Sequence, residues 1–281
     1  MLKRIITSIV ALLVFIPILI FSDTWAFPAA MSLAAILGCF EMISCVNQKK
    51  NWWLTVPVVL CAASLPILVR VAFLMNRGFG EVLMFAVGVF LILDVYILGV
   101  AVFANSTLPV TDSAMVATTC SYTVAAFTSI VYIHDFIPYG KYLYLLVFIC
   151  AWMTDSFAYF TGRVLGKHKL IPAVSPKKTV EGAIGGVIFC VGGVLLYGFI
   201  LERFFVSEGQ ANYIVLAVSA LFMSVISQVG DLIMSVIKRH YGIKDYGKLL
   251  PGHGGILDRF DSVMSVSIML AFICTYFNML T

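Results

Sequence analysis

Four aspartates lie at or beside the ends of apolar runs: Asp155 in "AWMTDSFAYF", Asp231 in "SQVGDLIMSVIKR", and Asp258 and Asp261 in "LLPGHGGILDRFDS". Carboxylates at membrane depth are costly, and they face a cavity or a partner. On a helix, positions 258 and 261 stand at i and i+3 and can share a face. Asp231, Ser235 and Lys238 stand at i, i+4 and i+7, another single face. Like charges held close repel unless a cation lies between them. A lysine can be that cation, and each aspartate is then a member of a structural ion pair. Mg²⁺ can be it too, since it takes one or two carboxylates and completes its shell with substrate phosphates. Lys238, Arg239, Lys244 and Arg259 surround the same aspartates in the sequence. Carboxylates for a metal, ringed by cations for phosphates, are what a metal-bound nucleoside triphosphate requires.

The glycines next to these residues fit a phosphate or a tight turn equally. Gly252, Gly254 and Gly255 flank His253 and allow the backbone to approach closely. No GxxxxGK[ST] loop occurs in the chain, so this is not a Walker A site. The small residues of "EGAIGGVIFCVGG", 181–193, read instead as a surface for close helix packing. Seven cysteines all lie inside apolar segments and none forms CxxC, so they read as small hydrophobes, without disulfides or zinc.

The elements that must position the aspartates are set by hydropathy. Of 281 residues, 62% are hydrophobic and 11% charged, with a mean hydropathy of +1.04. Soluble domains carry about 25% charged residues, and too little polar surface remains here to cover a soluble globule. Apolar runs repeatedly reach the ~20 residues that cross a bilayer. The expected class is therefore all-α, a polytopic helical membrane protein with about nine spans. They fall near 5–22, 25–46, 52–75, 81–104, 110–133, 142–160, 181–201, 211–237 and 262–280. The first imitates a secretory signal but has no clear cleavage site, and reads as a retained helix. No internal repeat and no separate soluble domain is evident. Helices 1–5 (1–135) and the catalytic helices 6–9 (136–281), with loops 161–180 and 238–261, are expected to form one integral membrane unit.

Positive charge sets the orientation. With the N-terminus and the two long loops inside and the C-terminus outside, all lysines and arginines but Arg70, Arg77, Lys141 and Arg203 fall on the cytoplasmic side, fourteen of 18. Ten of these sit in two stretches, "TGRVLGKHKLIPAVSPKKTVEG" (161–182) and "KRHYGIKDYGKLLPGHGGILDRFD" (238–261). Topology alone needs two or three per loop. The excess points to a highly charged anion, or to anionic lipid heads. An unprocessed chain without an organelle signal places the protein in a bacterial cell membrane.

The stretch "SVIKRHYGIKDYGKLLPGHGGILDRFD", 235–261, resembles the hallmark of the phosphatidate cytidylyltransferases, or CDP-diacylglycerol synthases. Ser235, Lys238, Arg239, Lys244, Asp245, Gly247, Pro251, His253, Gly254, Gly255, Asp258, Arg259 and Asp261 all stand at motif positions. The block 155–182 also resembles the family, while the N-terminal spans do so only in being apolar. Met234 departs from the pattern, where an acidic residue is expected in many relatives.

The resemblance implies a reaction, CTP plus phosphatidate giving CDP-diacylglycerol and pyrophosphate. It also implies Mg²⁺ or another divalent cation, a bilayer-borne substrate, no nucleic acid, and a homodimer. Phosphatidate brings an ionised phosphate oxygen as its own nucleophile, so catalysis reduces to positioning and charge neutralisation. Asp231, Asp258 and Asp261 are then the expected metal ligands, with Asp155 a further candidate. Lys238, Arg239 and Arg259 are the expected catalytic cations. Ser175, Lys177, Lys178, Thr179, Lys244, His253, Gly254 and Gly255 are the expected substrate contacts, with His253 orienting phosphate rather than acting as a base. Two other readings compete. A CTP-dependent polyprenol or dolichol kinase would transfer the γ-phosphate, and an anion or metal-ion transporter would use the intramembrane Glu41 and Asp94 as an ion path.

Overall fold

The computed structural model describes residues 13–48, 50–103, 108–206, 209–249 and 254–280. They are almost wholly helical. The described part of α1 covers 13–20. It is followed by α2 (Ala26–Cys45), α3 (Trp52–Leu74), α4 (Phe79–Phe103), α5 (Val110–Phe136), the short α6 (Gly140–Leu143) and α7 (Leu145–Leu165). A hairpin, β1 (Lys169–Ile171) and β2 (Ser175–Thr179), then leads into α8 (Val180–Phe204), α9 (Tyr213–His240) and α10 (Leu257–Tyr276).

Seven helical stretches among the described residues are long and apolar enough to cross a membrane. These are α2, α3, α4, α5, α6 with α7, α8 and α9. This is the architecture of a multi-pass membrane protein. Two of the nine expected spans are not among them. Of 5–22, residues 5–12 lie outside the described residues. The span at 262–280 corresponds to α10, whose first five residues include Asp258, Arg259 and Asp261.

The described residues form two compact units. One holds those up to Phe136 together with Tyr241–Arg259, the other Ile137–His240 together with those from Phe260 onward.

In the first unit, α2 packs on α3 and α5 through a helical stripe of Phe27, Met31, Ala35, Cys39 and Met42, each at most 3% exposed. Gly38 allows this approach, because a Cβ there would stand 2.9 Å from the Thr123 methyl. Cys39 and Cys120 face each other's carbonyls at 3.8 and 4.0 Å. All seven cysteines are free, and six are buried. Inside α5, Thr123 Oγ1 donates to Thr119 O of the preceding turn at 2.7 Å. Pro57 inside α3 leaves the Trp53 carbonyl without its helical partner. The Tyr96 hydroxyl of α4 donates to that carbonyl at 2.9 Å. At the C-terminal end of α5, Arg70 Nε donates to Asp135 Oδ2 at 2.6 Å, and the Arg70 NH1 and NH2 groups donate to the Asp23 and Ser22 carbonyls. His134 Nδ1 stands 2.7 Å from Asp135 Oδ1. A buried guanidinium is tolerated only when paired and hydrogen-bonded in this way.

In the second unit, α7 and α8 approach closely along the small residues 182–193. A Cβ on Gly186 would stand 2.9 Å from the Thr154 carbonyl oxygen, and one on Gly185 would overlap the Thr161 side chain. Gly182, Gly185, Gly186 and Gly193 of α8 therefore serve helix packing, as their spacing predicts. The hairpin was not legible in the hydropathy pattern. It pairs antiparallel, Lys169 with Thr179 and Ile171 with Ser175. Thr179 then caps α8, its Oγ1 accepting from Gly182 N at 3.2 Å.

Candidate functional site

In the second unit, Asp231 lies nine residues before the C-terminal end of α9. The residue before it, Gly230, brings α9 against the first turns of α10. A Cβ on Gly230 would stand 3.0 Å from the Asp261 carbonyl oxygen and would overlap Ser265. Asp231 is thereby set beside Asp261, and its charge acts on both Asp261 and Asp155. Ser235 Oγ, one turn on, donates to Asp231 Oδ1 at 3.4 Å. Lys238, a turn further, acts electrostatically on Asp261. Asp231, Ser235 and Lys238 thus lie along one face of α9.

The counter-charge comes from β2. Lys178 Nζ stands 2.5 Å from Asp231 Oδ2, and both side chains are about a quarter exposed, 26% and 25%. Strand alternation separates the two neighbouring lysines: Lys178 is half-buried while Lys177 is exposed. Of the other expected contacts on this strand, Ser175 opens it and Thr179 is buried as the cap of α8. Thr179 also fills the space beside Gly162 and Gly166, where a Cβ would stand 2.7 and 2.8 Å from its Oγ1. Asp155, on α7, is exposed, and Arg239 is exposed at the end of α9.

In the first unit, Asp258 is 8% exposed. Its Oδ2 accepts from Tyr246 N at 2.7 Å and from Gly255 N at 2.9 Å. One carboxylate oxygen therefore gathers both ends of the loop that precedes α10. Gly254 has φ +90, a conformation that favours glycine, and its missing Cβ leaves room for Asp258. Glu41, in the last turns of the apolar α2, reaches the same loop. Its Oε1 accepts from Ile256 N and its Oε2 from Leu257 N, each at 2.9 Å. At the far side of the loop, the Tyr241 hydroxyl donates to Asp112 Oδ1 at 2.9 Å. Lys244 and Arg259 are exposed. His253 and Pro251 lie outside the described residues.

Glu41 was read from the sequence only as an ion-path candidate, together with Asp94. Both have local partners, Asp94 accepting from Ser121 Oγ at 2.7 Å. A carboxylate in an apolar segment is a signal that some partner exists. The partner of Glu41 lies 215 residues away in sequence and has no local pattern. Met234, the departure from the family pattern, is 1% exposed, a position suited to an apolar side chain.

In each unit the candidate donors are of the kind that suits a hard cation and phosphates: carboxylate oxygens with lysines or arginines. Among the described residues, no three His, Cys, Asp or Glu side chains stand together as a ready ligand group for a metal.

Residues 2–277 match the model of the cytidylyltransferase family. The chain is 34% identical over 268 residues to the phosphatidate cytidylyltransferase of Staphylococcus haemolyticus (strain JCSC1435), covering 95% of this chain and 96% of that protein. It is 34% identical over 270 residues to that of Staphylococcus aureus (strain COL), with the same coverage of both chains. The protein of that name from Staphylococcus epidermidis (strain ATCC 12228 / FDA PCI 1200) is 32% identical over 268 residues, again covering 95% and 96%.

Proposed function

This chain belongs to the cytidylyltransferase family, and from that premise we propose that it transfers CMP from CTP to phosphatidate, giving CDP-diacylglycerol and pyrophosphate. The observation that carries the reading is identity of about a third, over 95% of the chain, to proteins named for that reaction. The site supports it, because its carboxylates and cations suit a metal-bound triphosphate and its helices suit a substrate held in a bilayer.

The phosphatidate phosphate attacks the α-phosphorus of CTP in line with departing pyrophosphate. It needs no protein nucleophile, so the residues act by orientation and charge. Asp231, Asp258 and Asp261 are assigned to a divalent cation, with Asp155 as a further ligand; Mg²⁺ fits their oxygen donors. Bound there, such a cation neutralises the charge that builds on the phosphates. Lys178 pairs with Asp231, and beside a cation held by that carboxylate it would serve as a phosphate contact. Lys238, Arg239, Lys244 and Arg259 hold phosphates, with Lys177 exposed on β2 for the lipid headgroup or CTP. Ser175 and Thr179 shape the strand that presents the two lysines, and His253, Gly254 and Gly255 are assigned to substrate contact.

The site faces the cytoplasm of a bacterial cell membrane, with the N-terminus inside and the C-terminus outside, and the protein works as a homodimer. Orientation rests on the lysine and arginine bias of the loops. The test is turnover by the purified protein in detergent or nanodiscs with CTP, phosphatidate and Mg²⁺. The expected result is CDP-diacylglycerol and pyrophosphate in equal amounts, with ATP inactive as a substitute. Failure to form CDP-diacylglycerol under these conditions overturns the reading.

A further inference from the structure

Glu41 stands in an apolar helix more than two hundred residues before the loop it touches, and its side chain is nearly inaccessible, with the residue 7% exposed. A carboxylate so placed needs full hydrogen bonding to remain charged. It finds this at the start of α10. Both oxygens accept backbone N–H groups there, Ile256 N on Oε1 and Leu257 N on Oε2, each at 2.9 Å. Leu257 is the first residue of the helix and Ile256 the one before it, at an end where N–H groups lack intrahelical acceptors and favour negative charge. The next residue is Asp258.

Two glycines make the approach possible. A Cβ on Gly255 would overlap the Glu41 carboxylate, and one on Gly247 would stand 2.5 Å from Oε1. Gly247 and Gly255 therefore share a constraint, room for one buried carboxylate. Gly255 N is also one of the two donors to Asp258 Oδ2. The two carboxylates thus hold consecutive amides of one turn, Asp258 taking residue 255 and Glu41 taking residues 256 and 257.

We propose that Glu41 is a positioning residue for cytidylyl transfer: as an anionic cap on α10 it fixes residues 255–257, the backbone that aims Asp258. This rests on the activity proposed above. It gives the N-terminal helices a part in catalysis, which the sequence placed wholly in the C-terminal half. It also gives the glycines of the turn a reason other than contact with phosphate.

The experiment uses the full-length protein with Glu41→Ala, Glu41→Gln and Gly255→Ala, each followed by steady-state kinetics, Mg²⁺ titration and hydrogen exchange at residues 255–258. Losing a group that orients a metal ligand costs roughly tenfold to a hundredfold in activity or metal affinity. Glu41→Ala is expected to lower kcat by that factor and raise the Mg²⁺ concentration for half-activation, with KM for phosphatidate nearly unchanged. Gly255→Ala, which displaces the carboxylate, is expected to do the same. Glu41→Gln, which keeps one acceptor oxygen, is expected to recover part of the loss. Exchange at 256 and 257 is expected to quicken in Glu41→Ala. A residue serving only stability would lower the active fraction and melting temperature while leaving KM values and the Mg²⁺ midpoint of the surviving enzyme as in wild type; that result overturns the proposal. So does unchanged exchange at 256 and 257. If wild type itself forms no CDP-diacylglycerol, the proposed activity fails, and the exchange measurement still decides whether Glu41 caps α10.

Discussion

Asp231 and Asp258 are assigned the same task, yet the two units hold them by different means. Asp231 is held by side chains, Lys178 at 2.5 Å and Ser235 at 3.4 Å, and is 25% exposed on its side chain. Asp258 is held by the main chain, its Oδ2 taking two amides at 2.7 and 2.9 Å within an 8% exposed residue. A side-chain ion pair in partial contact with water is worth little and exchanges readily. A carboxylate accepting buried amides is part of the fold, because removing it strands those donors. One aspartate thus sits in an exchangeable side-chain pair, and the other is a fixed post that backbone amides hold.

Substitutions can break or sharpen this contrast. The largest expected effects are on turnover. Asp258→Asn and Asp231→Asn each remove metal-compensating charge, at several kcal/mol or on the order of a thousandfold in kcat; wild-type-like transfer by either purified variant rejects its assignment as a ligand. Next comes stability, where the two positions separate. Asp258→Ala leaves the Tyr246 and Gly255 amides without an acceptor and should cost about 1–3 kcal/mol for each stranded donor, seen as a lower melting temperature in detergent. Asp231→Ala leaves Lys178 to water and should change stability by less than about 1 kcal/mol. Equal destabilisation by both would erase the distinction. Lys178→Ala is expected to lower turnover by about tenfold, the worth of one charged phosphate contact, while stability stays within the narrow range set by Asp231→Ala. The smallest effect is expected from Arg77→Ala. Its pair with Glu81 is an exposed i,i+4 contact at 3.4 Å, worth at most about 0.5 kcal/mol, and neither turnover nor melting should move measurably.

The same contrast marks what the sequence could and could not convey. Helix positions were legible because apolar length is a local property. The run at 25–46 became Ala26–Cys45, and 52–75 became Trp52–Leu74. Packing by the 182–193 glycines was legible for a similar reason, since small residues at helical spacing have one common use in apolar helices. The Asp231–Ser235–Lys238 face needed only the helical period. Other features depend on pairing between distant segments. Nothing near Lys178 indicates that it, and not Lys177, turns to Asp231; the strand that decides this is five residues long inside a charged loop. Asp258 was legible as important through its motif, but not as the acceptor for a residue twelve positions earlier. Glu41 was conspicuous as a lone acid and misleading as an ion-path candidate, because its partners are backbone amides that carry no sequence signature.

The central claim is that the chain moves the α-phosphorus of CTP onto a lipid phosphate. The most direct measurement supplies the purified protein with phosphatidate, Mg²⁺ and CTP labelled at the α-position in one reaction and at the γ-position in another, then follows label into the lipid. The account predicts that lipid takes label only from α-labelled CTP, while γ-label leaves in pyrophosphate. Lipid labelled from the γ-position would contradict it and make the protein a kinase.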